Sequence, residues 1–294
     1  MRHAYLIMAH DNFYNLEKLL RLLDHPDSDI CLHINQNVAD FNQGYWASML
    51  DKANIAFAPR VRVYPYTYTQ VDGIVSLLQT ATRSRHDYYH MLSGADLPIK
   101  PVREIDAFFE AHRGQEFVGF SRFFPPDMVE QKHILQNYYK HPNRTLARGA
   151  RAINRVGLTA QKLCRVNRMR GFQGDVKKGW DWFSITHDAA LHLLAEEPSF
   201  RRHFFGCYCP SEFFLQTILY NSTFRQNIYS LDHPAAATRR FIDWERGQPY
   251  VFRLSDLASL RESPLLFARK FMETVDKEII DAVYEMVIRE DYSC

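Results

Sequence analysis

Short apolar runs alternate with helical patterns up to Phe120, and this alternation limits the fold more than any other feature. Residues 4–8 read as a buried strand. Asn12 stands as an N-cap before a helix over 13–23, with Leu16, Leu19, Leu20 and Leu23 on one face. Residues 30–34 and 61–64 read as the second and third strands. Asp72 is expected to cap a helix through Ala81, and residues 88–92 form a fourth strand. A helix at Val102–Ala111 and a strand at 116–120 follow. Repeated β-α-β order predicts an α/β fold, a mostly parallel sheet flanked by helices, with ligands at the carboxyl ends of its strands.

Charge separates one segment from the rest. Residues 132–178 hold twelve Lys/Arg and a single acid, Asp175, although the whole 294-residue chain is only +2. The remainder is therefore acidic. Within the block, residues 144–170 carry Leu146, Ile153, Val156, Leu163 and Val166 among arginines, which predicts a basic, helical insertion at 126–178. Its reading is either a solvated helical face or a surface for an anionic membrane or an acceptor.

The α/β pattern then resumes. Strands are expected at 182–186, 227–230 and 240–242, and helices at 187–195, 211–219, 255–260 (capped by Ser255) and 275–288. No internal repeat or linker interrupts the chain, so residues 1–294 are read as a single domain. The five cysteines, at 31, 164, 207, 209 and 294, form no C-x-x-C pair and read as reduced or buried thiols. No apolar run approaches the roughly 20 residues of a membrane span. The expected location is cytoplasmic, or peripheral on the cytosolic face of the membrane.

Five segments recur in an order that points to a family. They are Tyr88-Tyr89-His90-Met91-Leu92-Ser93-Gly94-Ala95-Asp96-Leu97-Pro98, Trp182-Phe183-Ser184-Ile185-Thr186, Pro210-Ser211-Glu212-Phe213-Phe214-Leu215-Gln216-Thr217, Phe241-Ile242-Asp243-Trp244 and Phe267-Ala268-Arg269-Lys270-Phe271. Their order and spacing resemble the core-2/I-branching β-1,6-N-acetylglucosaminyltransferase family, which includes the peptide O-xylosyltransferases. Without an amino-terminal anchor the chain resembles a bacterial member. The resemblance implies a GT-A-like, Rossmann-type fold and inverting transfer of a sugar, N-acetylglucosamine or xylose, from a UDP-sugar to a glycan hydroxyl or lipid-linked saccharide.

Such a transfer needs a base for the acceptor proton and a counter-charge for the departing diphosphate. The resemblance assigns the base to Glu212, although Ser211 precedes it where animal members have aspartate. From the residues alone, Glu212 is also a carboxylate that complements a helix N-terminus. Asp96 stands alone and Asp181 lies between two tryptophans, so no Asp-x-Asp metal motif is read in the chain and no divalent metal is expected. Lys270 takes the cationic role, with Arg253 as a second cation and Arg239 and Arg240 competing for it.

His33 and Asn35, in a segment where the family has H-[VI]-D, are candidates for the nucleotide, as is His10. Asp96 is expected beside the donor sugar, or as a turn former. The resemblance gives Trp244 an acceptor ring to stack on; core packing is the alternative. Two other classes are a catalytically inactive nucleotide-sugar-binding protein and a nucleic-acid-binding protein using the basic insertion. An intact Glu212 and Lys270 disfavour the first. The lack of a nucleic-acid motif disfavours the second.

Overall fold

The computed structural model describes residues 1–138 and 143–292. Its strands are β1 (His3–Ala9), β2 (Ser28–Ile34), β3 (Asn54–Phe57), β4 (Tyr88–Ser93), β5 (Asp96–Pro98), β6 (Phe117–Phe120), β7 (Gly179–Thr186), β8 (Arg240–Ile242) and β9 (Phe267–Arg269). The main sheet has the order β3-β2-β1-β4-β7-β6. β1 to β4 pair in parallel, whereas β7 runs antiparallel to both β4 and β6. A small sheet, β5-β9-β8, packs beside it. The expected α/β class, with a mostly parallel sheet flanked by helices, is present.

The helices are α1 (Phe13–Leu22), α2 (Gln43–Ala47), α3 (Thr69–Ala81), α4 (Val102–Ala111), α5 (Asp127–Glu130), α6 (Arg144–Leu163), α7 (His187–Phe204), α8 (Ser211–Tyr220), α9 (Pro234–Thr238), α10 (Leu257–Glu262) and α11 (Glu278–Tyr292). Both faces of the main sheet are covered, and β1 shows why its sequence is continuously apolar. Tyr5, Ile7 and Ala9 pack with the leucines of α1, with Phe109 of α4 and with Ile279, Ile280 and Val283 of α11. Ala4 and Leu6 face the other way, onto Ile74 and Leu77 of α3 and the phenylalanines of α7 and α8.

Several expectations change. Residues 61–64 are not a strand; β3 lies earlier. The extended 61–63 segment is held by side chains instead: the Val61 N–H donates to His33 Nε2 at 2.9 Å, and Asn35 Nδ2 donates to the Val63 carbonyl at 2.9 Å. Asn12 precedes α1 but does not cap it with its side chain; its amide donates to the carbonyls of Gly94 and Phe271. Asp72 lies inside α3, paired with Arg201, because the helix begins at Thr69.

Helix α7 continues past Pro198, where Phe200 and Phe204 stack at 4.0 Å and pack on α8. Residues 227–230 make only an isolated bridge, from Glu116 to Ile228. Ser255 falls within a 3-10 turn, and α10 starts after Asp256. The C-terminal helix begins at Glu278, where Asp276 accepts the Ile279 N–H. The basic segment contains α5 and the long α6; its residues 139–142 lie outside the described residues, as does Cys294. The other four cysteines are free, and only Cys164 is exposed.

One buried cation joins the two sheets. Arg240 of β8 donates to Ser184 Oγ at 2.8 Å, to the Phe183 carbonyl at 2.7 Å, to the Met91 carbonyl at 3.2 Å and to the Thr238 carbonyl. Burial pushes its guanidinium down to about 9. Ser184 Oγ also meets His90 Nδ1 at 2.8 Å, and His90 Nε2 meets His3 Nδ1 at 2.8 Å.

Candidate active site

The carboxyl ends of β1, β2 and β4 open onto one cleft, where parallel α/β sheets place their ligands. It has a volume of about 260 Å³. Met8 and His10 line it after β1, Asn35 after β2 and Ser93 at the end of β4. Asp181 and Trp182 of β7, Ser211 of α8 and Arg269 of β9 complete the far side. Because β7 is antiparallel to β4, its first residues fall at the same end of the sheet.

Asp96 is the anchor under this cleft. It is 2% exposed and does not itself line the cavity. Its Oδ2 accepts the Ser93 N–H at 2.5 Å and the Trp182 indole N–H at 3.2 Å, and its Oδ1 accepts Arg269 at 2.8 Å. Arg269 also donates to Ser93 Oγ and lies over the Trp182 ring, 4.3 Å from its centroid. A guanidinium held by a carboxylate and an indole face is fixed before any ligand arrives. Its buried Nε has no hydrogen-bond partner among the described residues, although the side chain lines the cleft.

Carboxylates gather near this cation. Glu212 sits in the first turn of α8, next to the lining residue Ser211 but not itself lining the cavity, and its Oε2 lies 2.5 Å from Lys178 Nζ. Gln216, one turn further on, donates to the carbonyls of Gly119 at 3.2 Å and Trp180 at 2.8 Å. Thr217 donates to the Lys177 carbonyl at 3.0 Å. These bonds fix α8 against the start of β7 and so bring Glu212, Lys178 and Asp181 together. Burial pushes the Asp181 carboxyl well above the usual carboxylate range, and the charge of Glu212 pushes it further. Its Oδ1 is buried, with no hydrogen-bond partner among the described residues.

The other expected site residues are distributed unevenly. His10 is exposed on the cleft rim, 3.5 Å from Asp11. Asn35 lines the cleft, but its amide is committed to the 61–63 segment and to the Asn37 N–H. His33 is fully buried, with Nε2 accepting the Val61 N–H, and burial pushes it down to about 4. The structure therefore places it in the wall behind Asn35, not on the cleft surface.

Lys270 follows Arg269 at the end of β9, half-buried, and its carbonyl accepts the Phe252 N–H. Arg253 is exposed and does not line the cleft. Arg239 reaches the Pro264 carbonyl and lies over Phe108, and Arg240 is internal, so neither lines the cleft. Trp244 is exposed, with its ring 5.9 Å from that of Trp180.

Three residues of this arrangement were not expected from sequence: Lys178, Asp181 and Arg269. Arg269 lies within a motif already noted, one position before Lys270. Asp181 stands in the triplet Trp180-Asp181-Trp182, an unusual place for a carboxylate in a strand. The expectation about Asp-x-Asp also needs amending. One such triplet occurs, Asp27-Ser28-Asp29, but it lies at the amino end of β2, opposite the cleft. Asp29 there bonds His86, Arg2 and Asn54. Among the described residues no three His, Cys, Asp or Glu side chains form a metal cluster.

Comparison with known proteins agrees with the sequence motifs. Residues 3–259 match the family described as Core-2/I-Branching enzyme. Human xylosyltransferase 2 is 22% identical over 317 aligned residues, covering 96% of this chain and 33% of that protein. A xylosyltransferase from Ciona intestinalis is 23% identical over 308 residues, again covering 96% of the chain and 33% of the relative. The chain thus spans about a third of the length of these curated relatives. The crystal structure of mouse xyloside xylosyltransferase 1, apo form, aligns over 91% of this chain and 96% of that one, at 11% identity and a TM-score of 0.36. With a family match extending across most of its length, the chain belongs to the Core-2/I-branching enzyme family of glycosyltransferases.

Proposed function

We propose that the chain transfers N-acetylglucosamine or xylose from a UDP-sugar to a glycan hydroxyl, with inversion, in one metal-independent displacement. The observation that carries this reading is the meeting of carboxylates and a fixed guanidinium at one cleft. Asp181 and Arg269, the latter locked by Asp96, both line it, and Glu212 follows the lining residue Ser211 and stands close enough to Asp181 to act on its charge. The acceptor oxygen attacks the anomeric carbon, and its proton passes to the Glu212 carboxylate. The bond from that carbon to the diphosphate oxygen breaks, and UDP departs with the electron pair. Arg269, with Lys270 next to it, offsets the charge that develops on the diphosphate. Asn35 and His10 border the part of the cleft nearest β1 and β2, where the nucleotide would sit. Trp244 and Trp180 offer aromatic faces to the acceptor. Similarity to xylosyltransferases supports xylose as one of the two donor sugars.

The test is release of UDP from UDP-xylose and UDP-N-acetylglucosamine, with and without EDTA. Turnover of one of them in EDTA supports the reading. Turnover that requires added manganese would overturn the metal-independent mechanism, and release from neither sugar would overturn the donor assignment.

A further inference from the structure

The reaction makes no use of the side of α6 that faces away from the body. One face of this helix is anchored: Asn154 Oδ1 accepts the Ile134 N–H at 2.6 Å, and Gln161 Oε1 accepts the Lys132 N–H at 2.8 Å. Ala147 and Ala150 are buried on the same face. At 3.6 residues per turn the remaining surface divides into two stripes. Arg144, Arg148, Arg151, Arg155 and Lys162 form one. Leu146, Ile153, Val156 and Leu163 form the other, all exposed, with Val156 at 70% and Leu163 at 81%.

We infer that α6 is a docking helix that lies on an anionic lipid surface. A nucleic acid would engage the guanidinium stripe and leave Val156 and Leu163 in water. A second copy of α6 would cover the apolar stripe but bring two basic rows together. An anionic bilayer accepts both stripes. Apolar side chains enter the boundary between headgroups and acyl chains, while long arginine side chains reach the phosphates beside them. The helix docks on the surface and does not span it: among the described residues no helix is long and apolar enough to cross a membrane.

The segment around α6 is also bonded to the loop that leads into α8. The His133 N–H donates to the Gly206 carbonyl at 2.8 Å, and the Tyr208 N–H to the Met128 carbonyl at 2.8 Å. Docking would therefore hold the Glu212 end of the cleft near the lipid. The docking itself is independent of the proposed reaction.

The experiment is flotation of the full chain with vesicles of phosphatidylcholine alone or mixed with phosphatidylglycerol. A dye sensitive to polarity is carried on Cys164, which follows α6, in a Cys294→Ser background. Expected are flotation with the anionic vesicles only, about tenfold less bound protein at high salt, and a blue shift of the dye on binding. Val156→Asp with Leu163→Asp, and separately Arg148→Glu with Arg155→Glu, should reduce flotation to the level seen with neutral vesicles. Equal flotation with both vesicle types, flotation with neither, or a dye that stays in water would overturn the inference. So would duplex DNA binding that the Val156→Asp, Leu163→Asp variant retains while no vesicle floats the wild type. The dye readout on the wild-type surface decides the matter even where a variant fails to fold.

Discussion

Lys178 Nζ lies 2.5 Å from Glu212 Oε2, so the cation nearest the proposed base belongs to the segment that carries Asp181 into the cleft. An ion pair of two partly exposed side chains contributes little to stability, about 1 kcal/mol or less. It can therefore open for an acceptor hydroxyl at small cost. Glu212→Gln should slow transfer by about 10²–10⁴ while leaving UDP affinity nearly unchanged. A melting curve measured in parallel separates the roles. Wild-type melting with lost transfer identifies the base, whereas early melting with retained transfer identifies a structural helix-terminus carboxylate.

Asp181 makes a different prediction, because its raised carboxyl keeps a proton at pH values where an ordinary aspartate has lost it. As pH rises through that raised value, a second negative charge appears beside Glu212, within the cleft that the diphosphate would enter. The transfer rate should therefore fall on the alkaline side. Asp181→Asn holds the neutral form at every pH and should remove that alkaline limb. A pH–rate profile identical to wild type would separate Asp181 from the reaction. A loss as deep as that of Glu212→Gln would make Asp181 the base.

Arg269 and Asp96 form the buried pair of the site. Breaking such a pair leaves an uncompensated charge, with a cost on the order of 3 kcal/mol. Asp96→Ala should lower the urea midpoint accordingly and, by freeing the guanidinium, weaken UDP binding as well. Arg269→Lys should retain most of the stability but lose the planar fork, with UDP affinity falling by about tenfold or more. Unchanged UDP affinity in Arg269→Lys, measured by calorimetry, would place the diphosphate elsewhere.

Glu116 ties stability to pH away from the cleft. It accepts the Thr186 N–H at 2.9 Å and the Thr186 hydroxyl at 2.6 Å, yet burial pushes its carboxyl up from 4.5 to about 7. Between those values the folded chain keeps a proton that the unfolded chain has released, so stability falls as pH rises. The contribution is complete below pH 4.5 and lost as pH passes about 7. Its size is on the order of 3 kcal/mol. Glu116→Gln should flatten the urea-midpoint profile across that window; an unaltered slope would assign the dependence to other groups.

Sequence reading located elements wherever a local pattern carried the information. Helix α4 occupies Val102–Ala111 as expected, since its apolar spacing and the preceding Pro101 both mark its start. It misplaced the third strand because Val61 and Val63 look like strand residues, while their hydrogen-bonding partners are the side chains of His33 and Asn35, 28 positions away. Of the small sheet only β8 was expected, at 240–242; β5 and β9 were not, since three-residue strands carry no periodicity. The same limit applied to the site. Glu212 was accessible through a motif, but Arg269 gains its role by meeting Asp96 across 173 positions, and no local pattern encodes that meeting. Lys178 and Asp181 become functional candidates only when Gln216 and Thr217 dock α8 onto β7.

Arg240 gives the cleft a mechanical property. Its bonds from β8 reach carbonyls of β4 and β7, so a desolvated cation rivets the sheet that holds Arg269 to the sheet that holds Ser93 and Asp181, beside the bonds that Asp96 and Arg269 make to Ser93 and Trp182. The strands that carry Arg269, Ser93 and Asp181 to the cavity then have little freedom to drift relative to each other. The electric field between the guanidinium and the carboxylates is thus built at folding rather than at each turnover, and little dipolar reorientation is left for the moment of bond exchange. If the proposed transfer occurs at this cleft, the rigidity of the core is already part of its barrier.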